Sequence, residues 1–185
     1  MSWPIVAKVG GSLFDLPDLR ERLLAWMKQQ GDRPILFVPG GGEAADVIRK
    51  LDKIHQLGDE KSHWLAIRMM TTHAHFLAQL LDLPVVSSIP LRNGDRREVQ
   101  VFILDPLHFC QIDLLLEHSW QVTSDSIAAR LAIVWAADLT LFKSVDLPFD
   151  WTWQESAQAG LVDEVFPTII ENAGLNVSWI NLRGQ

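Results

Sequence analysis

The sequence predicts an α/β fold, a three-layer α/β/α sandwich around a mainly parallel sheet. Short apolar runs of strand length alternate with longer segments of helical periodicity, and the first two strand-to-helix junctions are both rich in glycine. Size agrees: 185 residues, 48% hydrophobic and 21% charged, suit one domain with one substantial core, spanning 1–185.

Residues 4–9 form a short apolar run ending at Gly10-Gly11, the pattern of a buried strand entering a tight turn. Residues 15–30 carry Leu16, Leu19, Leu23, Leu24 and Met27 at helical spacing, with Gly31 beyond the end. A second strand is expected over 34–38, closed by Pro39 and three successive glycines. Residues 43–57 read as helix again, with Ala44, Val47, Ile48, Leu51 and Ile54 on one face. A long helix is expected over 61–81. Strands are expected over 85–89 and 99–104, with Asn93-Gly94 between them as a hairpin signal. Further helices are expected over 106–117, 125–137, 155–159 and 164–173, and further strands over 139–142 and 177–182. The chain shows neither a linker nor an internal repeat.

Sixteen Lys+Arg against 23 Asp+Glu give a net charge of −7, which argues against a nucleic-acid backbone as main partner. A small anion survives that screen, because a local pocket of lysine and backbone amides can oppose the global charge. The single Cys110 has no internal partner for a disulfide, which favours a reducing compartment, and its apolar neighbours suggest a buried, inert thiol. No basic and apolar leader opens the sequence, and no apolar stretch reaches membrane-spanning length. A soluble cytoplasmic protein, without membrane partners, is the expectation.

Four segments carry possible chemistry. In Lys8-Val9-Gly10-Gly11-Ser12, a lysine ends a buried strand beside a glycine turn that opens a helix. Backbone N–H groups, the helix dipole and the ammonium would all favour a phosphate there; the plainer alternative is a turn with Lys8 reaching outward. In Pro39-Gly40-Gly41-Gly42, three glycines exceed what a turn needs and suggest close approach to the backbone. This second turn matches neither the dinucleotide nor the Walker spacing. Placed after consecutive parallel strands, both would lie at the carboxyl edge of the sheet, where open α/β sheets bind ligands. In Trp120 to Ala129, Ser124 or Asp125 suits a helix N-cap, or Asp125 could hold Lys8 in position. In Lys143-Ser144-Val145-Asp146, a strand ends in a cation, a hydroxyl and a carboxylate.

In this order the segments resemble the amino acid kinase family, which includes acetylglutamate, aspartate and uridylate kinases. The resemblance rests on Val6-Ala7-Lys8-Val9-Gly10-Gly11-Ser12-Leu13, on Val38-Pro39-Gly40-Gly41-Gly42 and on Asp125-Ser126-Ile127-Ala128-Ala129-Arg130-Leu131-Ala132, with Lys143-Ser144-Val145-Asp146 a looser match. It implies transfer of the ATP γ-phosphoryl group to a small anionic acceptor, with Mg²⁺ carried on the nucleotide and no metal site of the protein's own. It further implies that Lys8 stabilises the transferring group, that Asp125 orients Lys8, and that Gly10, Gly11, Ser12, Gly40, Gly41 and Gly42 bind phosphate. Lys143, Ser144 and Asp146 would contact the nucleotide. Self-association into a homo-oligomer is a further implication.

Related kinases usually carry Thr-Asp at the place of Lys143-Ser144, a glycine at Leu147, and a second catalytic lysine later in the chain. Beyond Asp146 this chain has no lysine. Lys143 is expected to fill that role from the strand end. The alternative is a nucleotide-binding or regulatory protein without turnover. The short length and the run His118-Ser119-Trp120 before Val122-Thr123-Ser124-Asp125-Ser126 resemble the short branch that includes aminomethylfuran phosphate kinases of methanofuran biosynthesis. That likeness implies a phosphomonoester acceptor and a diphosphate product, with Trp120, Thr123 and Ser124 lining the acceptor pocket. An acyl-phosphate-forming kinase of the same fold differs only in its acceptor.

Other residues carry less. His73 and His75 stand two apart in an expected helix and would point in different directions. Asp59, Glu60 and His63 read as a solvated helix start. Arg92, Arg96 and Arg97 flank the hairpin signal as a possible lid over an anion, and Trp151 and Trp153 suit core or interface as well as a binding platform.

Overall fold

The computed structural model describes residues 3–90 and 100–184. Six strands, β1 (Ile5–Val9), β2 (Ile35–Pro39), β3 (Val85–Val86), β4 (Val101–Leu104), β5 (Asp138–Lys143) and β6 (Val177–Asn181), form one sheet in the order β3-β4-β2-β1-β5-β6. Every pairing is parallel. Seven helices accompany it among the described residues: α1 (Leu19–Gln29), α2 (Gly42–His55), α3 (Asp59–Leu81), α4 (Pro106–Ile112), α5 (Ser124–Trp135), α6 (Trp153–Gln158) and α7 (Phe166–Ala173). The expected sandwich is therefore present.

Because side chains alternate along a strand, the sheet separates two apolar layers. Ile5, Ala7, Val9, Ile35, Phe37, Ile103 and Phe142 meet α1 through Leu19, Leu23 and Trp26. Val6, Leu36, Val38, Leu139 and Leu141 meet α5 and α7 on the other face. The long α3 serves both, giving Ile67 and Met70 to one layer and Ala74, Leu77 and Leu81 to the other. Cys110 is buried as expected, and burial raises its thiol pKa to about 12, with Asp113 and Asp105 adding in the same direction.

Three expectations need correction. The strands flanking Asn93-Gly94 run parallel, with Val85 beside Ile103 and Val86 beside Leu104, so a tight antiparallel hairpin does not join them. Asn93, Gly94, Arg92, Arg96 and Arg97 lie outside the described residues. The apolar row of α2 is mostly solvent-facing: Ile48 is buried, whereas Val47 and Ile54 are 56% and 60% exposed. One helix turn therefore docks where a whole face was expected. The helix expected over 106–117 ends at Ile112, because the Asp113 carboxylate accepts the Leu115 N–H and pairs with Arg130, turning the chain.

Candidate active site

The strand alternation that builds the core also aims two lysines. Lys8 shares a face with Val6, and Lys143 shares one with Leu139 and Leu141; both therefore project toward α5 from the carboxyl ends of adjacent parallel strands. The chain leaves β1 first toward β2 and later returns to β5 on its other side, so the lysines flank the point where strand order reverses.

Above them stands Asp125 in the first turn of α5. Its carboxylate takes Lys8 Nζ on Oδ1 and Lys143 Nζ on Oδ2, each at 2.9 Å. Lys8 and Asp125 are each 4% exposed and Lys143 9%. Burial pushes the Asp125 carboxyl upward, but the ammonium groups of Lys143 and Lys8 outweigh it and hold the pKa below the usual range. Burial lowers Lys143 to about 8; Asp125 and Asp163 oppose that shift, while Lys8 reinforces it. Lys143 also donates to the Leu161 carbonyl at 2.6 Å and lies 5.2 Å from the Trp179 ring centre. Two cations against one carboxylate leave a net positive, mostly desolvated centre suited to an anion.

The glycine turns meet each other beside this centre. A Cβ on Gly11 would fall 2.1 Å from the Gly42 nitrogen, and one on Gly42 would fall 2.8 Å from the Gly11 oxygen. Gly42 also has a φ of +51°, which favours glycine. The close approach expected from the triple glycine is thus, at least in part, that of the other turn. Gly40 N–H donates to the Val9 carbonyl, Gly10 N–H to the Phe142 carbonyl, and the Ser12 and Ser144 hydroxyls hydrogen-bond at 2.9 Å. No side chain caps the N-terminus of α2 at Gly41.

A cavity of about 330 Å³ opens over the lysine–aspartate centre, and its wall includes Lys8, Asp125, Gly11, Ser12, Gly41, Gly42, Trp120, Thr123 and Ser124. Most of the residues singled out in the sequence therefore converge. Gly10 and Gly40 are buried within their turns, and Lys143 lies beneath the centre. Ser144 faces a neighbouring cleft that shares Gly11, Ser12 and Gly42. Asp146 is exposed and accepts from Asn181 Nδ2. Neither Ser124 nor Asp125 is the N-cap of α5. Thr123 is, and its hydroxyl donates to Asp163.

Several residues here escaped the sequence reading. Arg49 lies 4.6 Å from the Trp120 ring centre, while Trp120 Nε1 donates to Asp52 at 3.1 Å. His63 is buried rather than solvated: its Nδ1 lies 3.1 Å from the Ser119 carbonyl, its ring stacks on His118, and burial lowers its pKa. His73 Nδ1 lies 2.7 Å from the Gly40 carbonyl, whereas His75 is exposed. Arg183, the one basic residue beyond Asp146, hydrogen-bonds the Ser12 carbonyl and pairs with Asp15. Only the helical spacing that turns His63 inward with Ile67 was visible in the sequence. Among the described residues, no group of three His, Cys, Asp or Glu side chains gathers as a metal site, and no helix is long and apolar enough to cross a membrane.

No family model matches the chain. It is 27% identical over 190 residues to the [5-(aminomethyl)furan-3-yl]methyl phosphate kinase of Methanocaldococcus jannaschii, covering 96% of this chain and 88% of that protein. Among solved structures, uridylate kinase from Archaeoglobus fulgidus superposes with a TM-score of 0.65 at 18% identity, over 96% of this chain and 90% of that one. UMP kinase from Ureaplasma parvum gives 0.67 at 16% identity, over 98% and 91%. The chain therefore shares the fold of these kinases and is similar in sequence, over nearly its whole length, to a phosphate kinase. The aspartate kinase of Synechocystis, at TM-score 0.62 and 19% identity, matches 95% of this chain but only 38% of its own length. All four of these proteins are named as kinases, in agreement with the enzyme class expected from the sequence.

Proposed function

We propose that the chain is an ATP-dependent kinase, acting as one amino acid kinase-like domain, that transfers the γ-phosphoryl group to a small phosphomonoester and releases a diphosphate. The observation that carries this reading is the pair of buried lysines sharing one carboxylate at the sheet's switch point. The name of the curated relative, a kinase of an aminomethylfuran methyl phosphate, supports a phosphomonoester as the proposed acceptor class. Donors and cavity fit a polyphosphate: two cations, two abutting glycine turns and an α2 N-terminus that no side chain caps. Mg²⁺ carried on the nucleotide would neutralise part of its phosphate charge, leaving Lys8 and Lys143 to oppose the rest.

In this mechanism the acceptor lies in the 330 Å³ cavity, against Trp120 and the first turn of α5. Thr123 presents its backbone there, because its hydroxyl is held by Asp163. A phosphate oxygen of the acceptor attacks the γ-phosphorus, a new P–O bond forms, and the bond to the β-bridging oxygen breaks with its electron pair leaving on ADP. That nucleophile is already anionic near neutral pH, so no general base is required. Lys8 and Lys143 oppose the charge on the transferring group, and Asp125 stays ionised and holds both ammonium groups in place. Ser144 and Asp146 meet the nucleotide side of the turn after β5. Self-association belongs to the same proposal, and molar mass in solution reads it directly.

ADP release from Mg·ATP, measured with and without aminomethylfuran methyl phosphate, acetylglutamate, aspartate and UMP, tests the reading. Turnover dependent on the furan phosphate is expected. Turnover on a carboxylate alone would replace the acceptor class, and bound ATP without turnover would replace the kinase.

A further inference from the structure

A buried carboxylate outside the lysine–aspartate triad enters the mechanism above only by holding the Thr123 hydroxyl. Asp163, 8% exposed, lies in the loop between α6 and α7 and collects five donors. It accepts the Thr123 N–H at 3.0 Å, the Thr123 hydroxyl at 2.9 Å, the Ser126 N–H at 3.0 Å, the Ser126 hydroxyl, and the Phe166 N–H at 3.0 Å. The first four belong to the N-cap and first turn of α5, the turn that carries Asp125. Two residues earlier in the same loop, the Leu161 carbonyl accepts from Lys143 Nζ, and Gly160 contributes to the cavity wall. One short strap thus touches both ends of the Asp125–Lys143 contact.

We propose that Asp163 is a positioning residue for phosphoryl transfer, acting through Asp125 and Lys143. This inference rests on the kinase reading above and deepens it. Asp163 does for α5 what an N-cap side chain usually does, but from about 40 residues downstream in the chain. The orientation of Asp125 therefore depends on the 160–163 strap. The groups facing Lys143 are Asp125 from α5, Lys8 from β1, the Trp179 ring from β6, and the Leu161 carbonyl and Asp163 charge from the strap. Lys8 works against the Lys143 cation, and Asp163 supports it. Without a lysine later in the chain, this support adds to the larger one from Asp125 in favouring the charged form of the second cation.

The test compares the full-length chain with Asp163→Asn and Asp163→Glu by two readouts. Lysine side-chain NMR, with the Lys143 signal assigned through Lys143→Arg, follows ammonium titration against pH. Steady-state kinetics give kcat and KM across the same range. Asp163→Asn should lower the Lys143 midpoint by roughly half a unit or more, move the alkaline limb of kcat down with it, and lower kcat about tenfold with KM changed less than about threefold. Asp163→Glu keeps the charge but displaces the turn, so kcat should fall while the midpoint stays. A purely structural Asp163 would lower thermal stability and scale the active fraction equally at every pH. An unmoved midpoint in Asp163→Asn, or wild-type kcat in Asp163→Glu should the Asn variant fail to fold, overturns the proposal. Absence of turnover in the wild type would sink the kinase reading instead, and the NMR midpoint would still decide whether Asp163 governs Lys143.

Discussion

At the residue scale the site is an electrostatic balance around Asp125. Removing its charge leaves two buried ammonium groups facing each other, so Asp125→Asn should destabilise the protein by about 3–5 kcal/mol and abolish transfer, as urea unfolding and ADP release would register. Lys8→Ala should cost about 10²-fold or more in kcat with nucleotide affinity changed much less, the signature of an interaction made chiefly with the transferring group. Single-turnover kinetics beside nucleotide titration separate the two quantities. The pH dependence follows from Lys143, whose cation is lost as pH rises through about 8. Activity should therefore decline on the alkaline side from near that pH, and Lys143→Arg, which cannot deprotonate there, should flatten the limb even if its rate is lower. The lysines and Asp125 were legible in the sequence because residue type, strand ends and family motifs agreed. Asp163, Arg183 and His73 were not, because their partners lie 37, 171 and 33 residues away along the chain, and no local pattern encodes such contacts.

At the element scale, the first two β-turn-α units were readable because apolar period and glycine punctuation coincided. The reading failed where an element's pattern and its surroundings part company. The Val47, Leu51 and Ile54 row has ordinary amphipathic spacing, yet α2 rests on the rest of the molecule mainly through Ile48, so the apolar row faces outward. Val47→Ser and Ile54→Ser should accordingly change unfolding free energy by less than about 0.5 kcal/mol, whereas Ile48→Ala should cost about 2–4 kcal/mol. Equal losses across the row would contradict this docking. The abutting turns make a second element-level prediction. Gly11→Ala forces a methyl into the Gly42 backbone, and overpacking there should cost about 1–3 kcal/mol together with most of the activity. A Gly31→Ala change, whose Cβ would meet nothing within 4 Å but whose φ is +62°, should lose some stability without touching catalysis.

At the scale of the whole molecule, the parallel sheet brings together segments far apart in sequence: the ends of β1 and β5, the first turn of α5 and the strap before α7. Topology rather than any single motif makes the site, which explains why the sequence order of four weak motifs was more informative than each alone. A ligand that bridges these segments should stabilise the fold by mass action. Mg·ATP at about 100 times its Kd should add roughly 2.7 kcal/mol, a rise of several degrees in Tm for a chain of this size. Lys8→Ala and Lys143→Ala should shrink that rise. The central claim, that this centre joins two phosphates, is tested most directly by ³¹P NMR of the protein with Mg·ATP and aminomethylfuran methyl phosphate. The account predicts that the phosphomonoester signal gives way to the two coupled doublets of a new diphosphate as ADP accumulates. An unchanged phosphomonoester signal in protein that binds both ligands would contradict it.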